Sequence, residues 1–421
     1  MTARGMRGEA LLSGGERFTP KPGMLSKRVA QTVAPAFAKL VDRIDVGLES
    51  GTLRAVLPDG TNRVLGAHSD GFEAQIHLKD WRSLLRLATN GVIGFYQGYE
   101  AGEWESEDLV SLFALMASNV RSLQGTARSS GPFKWVAALA HKWNRNDRAG
   151  AKRNVSAHYD LGNDFYAAWL DEAMIYSSAL GVADDGLEAA QARKLNSIAE
   201  RLVGLESVLE IGCGWGALAE HLSERGADVT AISLSTEQLA HARFESAGEV
   251  TYRKQDYRDA RGQYDAIASV EMVEALGREY WPNFMQAVAR NLKPGGRAAI
   301  QYISIADDLF EDYASTADFI QAYVFPGGML IKSSEFRVLA EERGLSWQDE
   351  VRFGDDYAQT LRIWRERFDA AVEEQRLPDG FDARFIRLWR FYLAYCEAGF
   401  RTGNIDVHQV TLVKESNDKK G

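Results

Sequence analysis

The chain has 421 residues, a formal net charge of −10 and the hydrophobic and charged fractions of an ordinary globular protein. Its length predicts two or three domains, and its acidic balance argues against a nucleic-acid-binding protein. Its two cysteines, Cys213 and Cys396, exclude a disulfide framework, and no apolar run reaches the ~18 residues that span a bilayer.

The first 123 residues predict a flexible arm followed by a small mixed domain. Residues 1–25 are rich in glycine, proline and charge and are interpreted as the arm. Over 26–123, helical spacing at 29–48, 81–87 and 109–123 and strand patterns at 53–56 and 72–78 predict an α+β domain. Between the last two helical segments lies a glycine- and aromatic-rich stretch, 91–100. This domain shows no catalytic constellation, so we interpret it as a structural or substrate-presenting module.

Residues 124–153 predict a linker that carries a basic, aromatic helix. The small polar residues at 125–131 are typical of a linker. Apolar side chains then share one helical face, and basic residues accompany them at Lys134, Lys142, Arg145, Arg148, Lys152 and Arg153. Such a segment in an acidic protein favours contact with anionic lipid headgroups. A helix docked between domains, with a solvated basic face, is the alternative.

From about residue 154, strands and helices alternate as in an open α/β sheet. The first apolar run, 208–211, leads into a loop with three glycines, Gly212, Gly214 and Gly216, and a helical segment follows. Further runs at 229–232, 250–252, 264–270 and 297–303 predict the remaining strands. The predicted fold class is therefore α/β, with a Rossmann-like sheet over 154–421.

The position of an acidic residue separates two candidate cofactors for this loop. Gly212, Gly214 and Ala217 satisfy the loose dinucleotide fingerprint, but the acid that a dinucleotide fold needs ~20 residues further on is missing. The acid here is Glu210, ahead of the first glycine. An acid followed by three alternate glycines favours S-adenosylmethionine (SAM), whose amino group Glu210 can meet.

Polar residues cluster where the predicted strands end. Glu271, Glu274 and Gln301 fall at carboxyl ends of strands, where ligands bind in open α/β sheets. An aromatic-rich segment that includes Tyr176 precedes the first strand of the sheet. It is typical of a lid over a cofactor or an apolar substrate, and core packing is the alternative.

Distinctive motifs lie along nearly the whole chain, at 98–104, 158–164, 176–177, 210–216, 271–277, 325–328 and 357–368. In the order of these motifs, the chain resembles the cyclopropane-fatty-acyl-phospholipid synthases, which are related to the mycolic acid cyclopropane synthases. The resemblance implies a class I SAM-dependent methyltransferase domain with a smaller N-terminal lipid-associated domain. It also implies transfer of a methylene group from SAM to the double bond of an unsaturated acyl chain in a membrane phospholipid.

The resemblance also implies the residues that contact SAM. Besides Glu210 and the three glycines of the loop, they are Tyr176, Ser177, Ser233, Gln238, Asp256 and Tyr257. The last two are expected near the adenine. Each has a simpler alternative: the segment 233–238 can cap a helix, and Tyr257 can belong to the core.

The proton acceptor is where this sequence departs from the family pattern. In familiar members a bicarbonate ion serves, held by Cys, Glu, His and Tyr side chains. Those positions are Ser178, Glu274, Gln301 and Tyr357 here, and Glu271 stands where many members have glycine. As in a plant-like branch, we expect Glu271 to replace bicarbonate as the base, with Tyr357 and Glu274 positioning it. The alternative is that both glutamates cap the helix after the strand.

The altered base leaves the product open. Deprotonation of the added methyl group gives a cyclopropane, whereas a prior hydride shift gives a methylene branch for a downstream reductase; methyl-branched and furan-precursor products share this architecture. A small-molecule methyltransferase and an inactive lipid-binding module are more distant alternatives. Expected partners are phospholipids with unsaturated acyl chains and an anionic membrane surface, with a homodimer left open and no metal or nucleic acid. We expect a cytoplasmic protein, peripheral at the inner face of the membrane.

Overall fold

The computed structural model of the protein describes residues 7–16, 34–127, 161–204, 206–316 and 318–416. Its helices are α1 (Glu9–Glu16), α2 (Ala34–Gly47), α3 (Arg82–Glu100), α4 (Leu109–Ser118), α5 (Val120–Ala127), α6 (Asn163–Ala167), α7 (Leu187–Arg201), α8 (Ala217–Ser223), α9 (Thr236–Glu245), α10 (Trp281–Asn291), α11 (Phe310–Ser315), α12 (Phe319–Tyr323), α13 (Ser333–Glu341), α14 (Gly354–Glu373) and α15 (Ala383–Arg401). Its strands are β1 (Thr52–Val56), β2 (Asn62–Gly66), β3 (Glu73–Leu78), β4 (Trp104–Glu105), β5 (Ser207–Ile211), β6 (Asp228–Ser233), β7 (Thr251–Lys254), β8 (Tyr264–Val270), β9 (Leu292–Ile305), β10 (Ile331–Lys332), β11 (Leu345–Arg352) and β12 (Ile405–Lys414).

The described residues form two compact units, neither of them continuous in sequence. The first combines the described residues before 128 with Asp312–Pro326 and Gly380–Asn404. The second combines residues 161–311, Gly327–Asp379 and the chain from Ile405 onwards. Helices α12 and α15 thus belong to the first unit, although the sequence alone assigned them to the catalytic domain. The predicted domain limits at 25, 123 and 153 stay predictions.

The second unit contains a mostly parallel sheet in the order β11-β12-β9-β8-β5-β6-β7, with β10 paired to β9. Strands β7, β6, β5, β8 and β9 run parallel, whereas β12 runs antiparallel to both β9 and β11. Four consecutive residues of β5, 208–211, are buried, as expected for a strand covered on both faces. The predicted α/β class and the strands that support it are confirmed.

Strand β5 has β6 on one side and β8 on the other, so the strand order reverses direction beside it. In open α/β sheets the loops that leave such a reversal diverge and open a crevice at the carboxyl ends of the strands. The glycine loop follows β5, and the segment that begins with Glu271 follows its neighbour β8. The fold therefore brings them to one edge.

The first unit contains a four-stranded sheet in the order β2-β1-β3-β4 and an aromatic core. Tyr96 of α3 is fully buried, with ring centroids 4.9, 4.6 and 5.1 Å from those of Phe319, Tyr323 and Phe391. The glycine- and aromatic-rich residues 91–100 belong to helix α3, and the chain kinks at Gly91, whose φ is +55°. No helix in the described parts of the chain is long and apolar enough to cross a membrane.

Part of the N-terminal segment that was predicted to be flexible is helical, so that prediction is wrong for residues 9–16. Leu11 and Leu12 of α1 are buried. A Cβ at Gly15 would lie 1.8 Å from the Tyr323 ring, so the glycine permits close packing here rather than flexibility. The predicted basic helix within 124–153 and residues 158–160 of the first catalytic motif lie outside the described residues, apart from the part of α5 at 124–127.

Candidate active site

The glycine loop joins β5 to α8, and Gly212, Gly214 and Gly216 have φ angles of +88°, +52° and +99°. Side chains disfavour this left-handed backbone. A Cβ at Gly212 would lie 2.5 Å from Met272 Cγ, and one at Gly216 would lie 2.6 Å from Tyr252 Oη. A Cβ at Gly214 would meet no atom within 4 Å. The outer two glycines therefore allow close packing, whereas Gly214 presents bare backbone to open space.

Three buried polar atoms along the carboxyl edge of the sheet have no hydrogen-bond partner within the described residues. They are Glu210 Oε2, Gln238 Nε2 and Tyr257 Oη. Glu210 lies in β5, and the other two residues follow β6 and β7, the next strands in the sheet. Because buried polar groups ordinarily have partners, this arrangement fits a polar ligand such as SAM that supplies them.

The charge state of Glu210 also fits a cationic group nearby. Burial raises its pKa to about 8, and the Lys194 ammonium opposes this rise. The carboxyl group is thus largely protonated at neutral pH when no further cation is present. An amino group next to Glu210 would favour the ionised form and form a charge-assisted hydrogen bond with it.

Ser233 and Asp256 already have partners inside the protein. Ser233 Oγ accepts a hydrogen bond of 3.2 Å from the Ser235 N–H, and Ser235 Oγ caps α9 by accepting 3.2 Å from the Gln238 N–H. Asp256 pairs with the Arg258 guanidinium at 2.6 Å. The helix-capping alternative therefore applies to Ser235, and the buried ring of Tyr257 packs against Phe284, 5.8 Å between centroids.

Tyr176 lies in a cluster of aromatic rings that continues to the glycine loop. Its centroid is 5.5 Å from that of Tyr166, 5.6 Å from Trp169 and 5.4 Å from Trp364 of α14. Tyr166 in turn lies 5.1 Å from Trp215, within the loop. The rings of this segment form a core beside the loop. The segment thus has the packing that the core alternative predicts and the position next to the loop that a lid over a cofactor requires.

The carboxylate of Glu271 is held by three hydrogen bonds. Its Oε1 accepts from the Ser178 backbone N–H at 2.9 Å and from Gln301 Nε2 at 2.7 Å. Its Oε2 accepts from the Tyr357 hydroxyl at 2.7 Å. The Ser178 hydroxyl instead donates to the Ala179 carbonyl at 2.8 Å. Of the five residues expected at the proton-accepting site, three thus donate hydrogen bonds to the carboxylate of a fourth, Glu271, with Ser178 contributing its backbone.

Glu271 also has a strained backbone. Its φ is +46°, in the left-handed region that costs a non-glycine residue roughly 1–2 kcal/mol. Its N–H donates to the Gln301 carbonyl at 2.9 Å, so strand β9 fixes both the backbone and the side chain of this residue. Strain of this kind persists where the surroundings over-determine the conformation.

Glu274, the fifth residue, lies next to Glu271 with a different environment. Its Oε1 accepts from the Ile303 N–H, and its Oε2 is buried without a partner among the described residues. Burial, followed by the charge of Glu271, raises the pKa of Glu274 to about 8. Burial also raises the pKa of Glu271, opposed by its three hydrogen bonds and by Lys194. At neutral pH Glu274 is therefore largely protonated.

The alternative in which the two glutamates cap a helix is wrong. The turn Val273–Ala275 has Met272 at its N-terminal boundary and no side-chain cap. Helix α10 begins only at Trp281. Both carboxyl groups instead bond to strand β9 or to residues across the site.

Sequence reasoning missed a second set of polar residues behind Glu271. Gln409 Nε2 donates to Gln301 Oε1 at 3.0 Å, and Ser197 Oγ donates to Gln409 Oε1 at 2.7 Å. Lys194 is buried in helix α7. A signal existed in the sequence, because Lys194 interrupts the apolar series Ala190 and Ile198 at helical spacing.

Comparison with known proteins gives concordant matches. The family model for mycolic acid cyclopropane synthetase matches residues 146–410. A tuberculostearic acid methyltransferase of Mycobacterium tuberculosis is 39% identical over 351 residues, covering 78% of this chain and 81% of the relative. The cyclopropane-fatty-acyl-phospholipid synthase of Escherichia coli strain K12 is 35% identical over 349 residues, covering 80% of this chain and 87% of the relative.

Solved structures agree with the sequence matches. The cyclopropane synthase MmaA2 from Mycobacterium tuberculosis superposes with a TM-score of 0.57 at 26% identity, covering 62% of this chain and 98% of that one. A mycolic acid cyclopropane synthase, CmaA1, complexed with SAH and CTAB gives 0.58 at 27% identity, with the same coverage. The resemblance inferred from the sequence motifs is confirmed, and the chain belongs to the mycolic acid cyclopropane synthetase family of SAM-dependent methyltransferases.

Proposed function

We propose that this protein transfers a methyl group from SAM to the double bond of an unsaturated acyl chain in a membrane phospholipid, and that Glu271 then removes a proton from the resulting cation. The observation that carries the proposal is the Glu271 carboxylate, which is buried at the site and held by three hydrogen bonds. A buried carboxylate with fixed orientation is suited to accept a proton from carbon-bound hydrogen.

The residues that would hold SAM are those of the carboxyl edge. Gly214 leaves its backbone open, and Glu210, Gln238 and Tyr257 offer buried polar atoms that lack partners among the described residues. When bound, SAM supplies an electrophilic methyl group, and the alkene that accepts it becomes a carbocation. The aromatic faces around Tyr176 are suited to stabilise that charge and to exclude water.

Glu271 takes the place that the resemblance gives to bicarbonate. In familiar members the ion is held at the positions of Ser178, Glu274, Gln301 and Tyr357. Three of these residues here donate hydrogen bonds to the Glu271 carboxylate. The protein thus supplies from its own chain the anion that others bind, which supports a reaction independent of added bicarbonate.

A cyclopropane chain and a methylene branch are the two candidate products. Both begin with the same methyl transfer, and in both Glu271 removes a proton from the added methyl group. Loss of that proton from the first cation closes the ring, whereas a hydride shift that first moves the positive charge to the methyl-bearing carbon leads to the methylene branch. The cyclopropane is the product that the family name suggests, and the match to the Escherichia coli synthase supports it. The methylene branch, or the methyl branch that a reductase would make from it, is favoured by the match to the tuberculostearic acid methyltransferase.

The experiment is expression in a host that lacks its own synthase, followed by mass spectrometry of the phospholipid acyl chains. The proposal expects monounsaturated chains to gain the mass of one CH2 group. Ozonolysis then distinguishes the products, because the C=CH2 bond of a methylene branch is cleaved to a ketone, whereas a cyclopropane does not react. An unchanged acyl profile from a protein that binds SAM would refute the lipid substrate and favour a small soluble nucleophile. Failure to bind SAM as well would leave a lipid-binding module.

We propose that the reaction takes place at the surface of a membrane, on its cytoplasmic side. The acidic chain would meet anionic lipid through the basic residues predicted between 134 and 153. Purified protein and vesicles with unsaturated chains test this directly: the proposal expects more protein to sediment with anionic than with neutral vesicles. Equal sedimentation would contradict the electrostatic part of the proposal.

A further inference from the structure

Lys194 is a fully buried cation to which neither the sequence motifs nor the proposed chemistry assigns a role. It lies in helix α7 with 1% of its surface exposed. Its Nζ donates a hydrogen bond of 2.6 Å to Ser177 Oγ. The next residue, Ser178, donates its N–H to Glu271 Oε1. Lys194 therefore grips the segment that holds the proposed base.

Two neighbours on the same face of α7 contribute to this arrangement. Gln191, three residues before Lys194, donates from Nε2 to the Ser177 carbonyl at 3.0 Å. Ser197, three residues after it, begins a series of hydrogen bonds through Gln409 and Gln301 that ends at Glu271 Oε1. Residues at this spacing share one helix face. The helix thus supports Glu271 Oε1 from two directions.

We propose that Lys194 is a positioning residue for the base: its ammonium group fixes Ser177 and Ser178 against Glu271 and supplies the buried counter-charge that keeps this carboxylate ionised. The inference rests on the proposed function, since it concerns the group that accepts the proton. Gln191 and Ser197 position the same carboxylate without charge. Lys194 alone of these three adds an electrostatic effect.

The surrounding charges make that counter-charge important. Burial lowers the pKa of Lys194 to about 8, and the charges of Glu271, Asp171 and Glu210 oppose this lowering. Lys194 therefore remains mostly protonated at neutral pH. The hydrogen bond from Tyr357 and the charge of Lys194 lower the pKa of Glu271 against the effect of burial. The charge of Glu271 in turn raises the pKa of Glu274. Because burial favours a neutral carboxyl group, removal of the cation raises the pKa of Glu271 further and depletes the form that accepts a proton.

The first test compares pH profiles of methyl transfer to unsaturated vesicles at saturating SAM. Lys194→Gln retains a donor for Ser177 and removes the charge, whereas Gln191→Leu loosens the same segment and leaves the charge in place. We expect Lys194→Gln to lower kcat at pH 7 by about ten-fold, the order expected for loss of one charge partner, and to move the acid limb to higher pH. Gln191→Leu should leave that limb in place. An unmoved limb in Lys194→Gln, or an equal displacement in Gln191→Leu, would overturn the proposal.

A second test needs no lipid turnover and so separates this inference from the proposed function. Infrared spectroscopy at pH 7 should show an additional protonated carboxyl stretch in Lys194→Gln, beyond those of Glu210 and Glu274 that the wild type already has. This additional band should be lost in the double variant with Glu271→Gln. Lys194→Met gives the same comparison if Lys194→Gln does not fold. Absence of this band would refute the role of Lys194, even if lipid methylation occurs. Its presence would support that role even if the lipid substrate is wrong.

Discussion

Replacement of Glu271 by glutamine tests the proposed base with little change in shape. A glutamine oxygen at the Oε1 position can still accept from the Ser178 N–H and Gln301 Nε2, now at 2.9 and 2.7 Å. The amide NH2 then faces the Tyr357 hydroxyl, which can accept as well as donate. Three hydrogen bonds can therefore still form around the side chain, with the one to Tyr357 reversed in direction, and we expect the variant to fold and to bind SAM. Only the capacity to accept a proton is lost.

The size of the effect follows from what a positioned base contributes. General base catalysis accelerates reactions by about 10²–10⁴-fold, so Glu271→Gln should lower kcat by that factor, or about 3–5 kcal/mol in the barrier. The assay is transfer of a labelled methyl group from SAM to vesicles of unsaturated phospholipid, with SAM affinity measured by calorimetry. Turnover equal to that of the wild type would remove Glu271 as the base.

Glu274→Gln is the matched control for this experiment. Glu274 is buried beside Glu271, and its carboxyl group is largely protonated at neutral pH because its pKa is about 8. A neutral amide is therefore a close substitute, and we expect less than about a ten-fold change in kcat at pH 7, well below the loss of a general base. If Glu274→Gln were instead as inactive as Glu271→Gln, the two carboxyl groups would act together, and the assignment of the base to Glu271 alone would fail.

Three further outcomes are expected. Gly214→Val should abolish SAM binding in calorimetry by filling the open space beside the loop, whereas Gly226→Val, with a similarly left-handed φ of +89° and open surroundings, should only destabilise the protein; normal SAM affinity of the first variant would refute the loop assignment. The pKa of Glu274 is raised from 4.5 to about 8, so between these pH values the folded protein binds more protons than the unfolded chain. The stabilising contribution of Glu274 to the free energy of unfolding should therefore decrease as the pH rises from 4.5 to about 8. Thermal melts of Glu274→Gln should lack that part of the loss. Sedimentation with anionic vesicles should weaken when three charges in the predicted basic segment are reversed, those of Lys142, Arg145 and Arg148. Unchanged sedimentation would assign these residues a structural role.

The sheet of the second unit was largely predictable from sequence, because buried parallel strands are continuous apolar runs. Strands β5, β6 and β8 lie within about a residue of the predicted runs. The first unit was harder. No structure was predicted for the glycine- and aromatic-rich stretch 91–100, yet it belongs to helix α3. There Gly98 permits close contact with Trp104, whose ring would lie 3.1 Å from an added Cβ. Such contacts depend on tertiary neighbours that no local pattern reveals.

The proposed site was predictable as a set of residues and not as a geometry. The separations along the chain between Glu271 and its partners Ser178, Gln301 and Tyr357 are 93, 30 and 86 residues. Spacing alone cannot indicate that they meet. The strand ends gave the positions of Glu271 and Gln301, and the family resemblance gave Ser178 and Tyr357. The supporting residues on helix α7 had a weaker guide. Lys194 interrupts an apolar series at helical spacing, but lysine is ordinarily a surface residue, so its burial becomes clear only from its surroundings.

The left-handed backbone of Glu271 carries conformational strain that a glycine at the same position would not have. Glycine adopts a φ of +46° without penalty, so Glu271→Gly should relieve roughly 1–2 kcal/mol of strain. The same change would remove the buried carboxylate and leave the Ser178 N–H, Gln301 and Tyr357 around an anion-sized space. We expect a protein that activates only when a small anion such as bicarbonate is added. The fold at this point is thus compatible with two designs, a more relaxed one that borrows its base from solution and a strained one that carries its own.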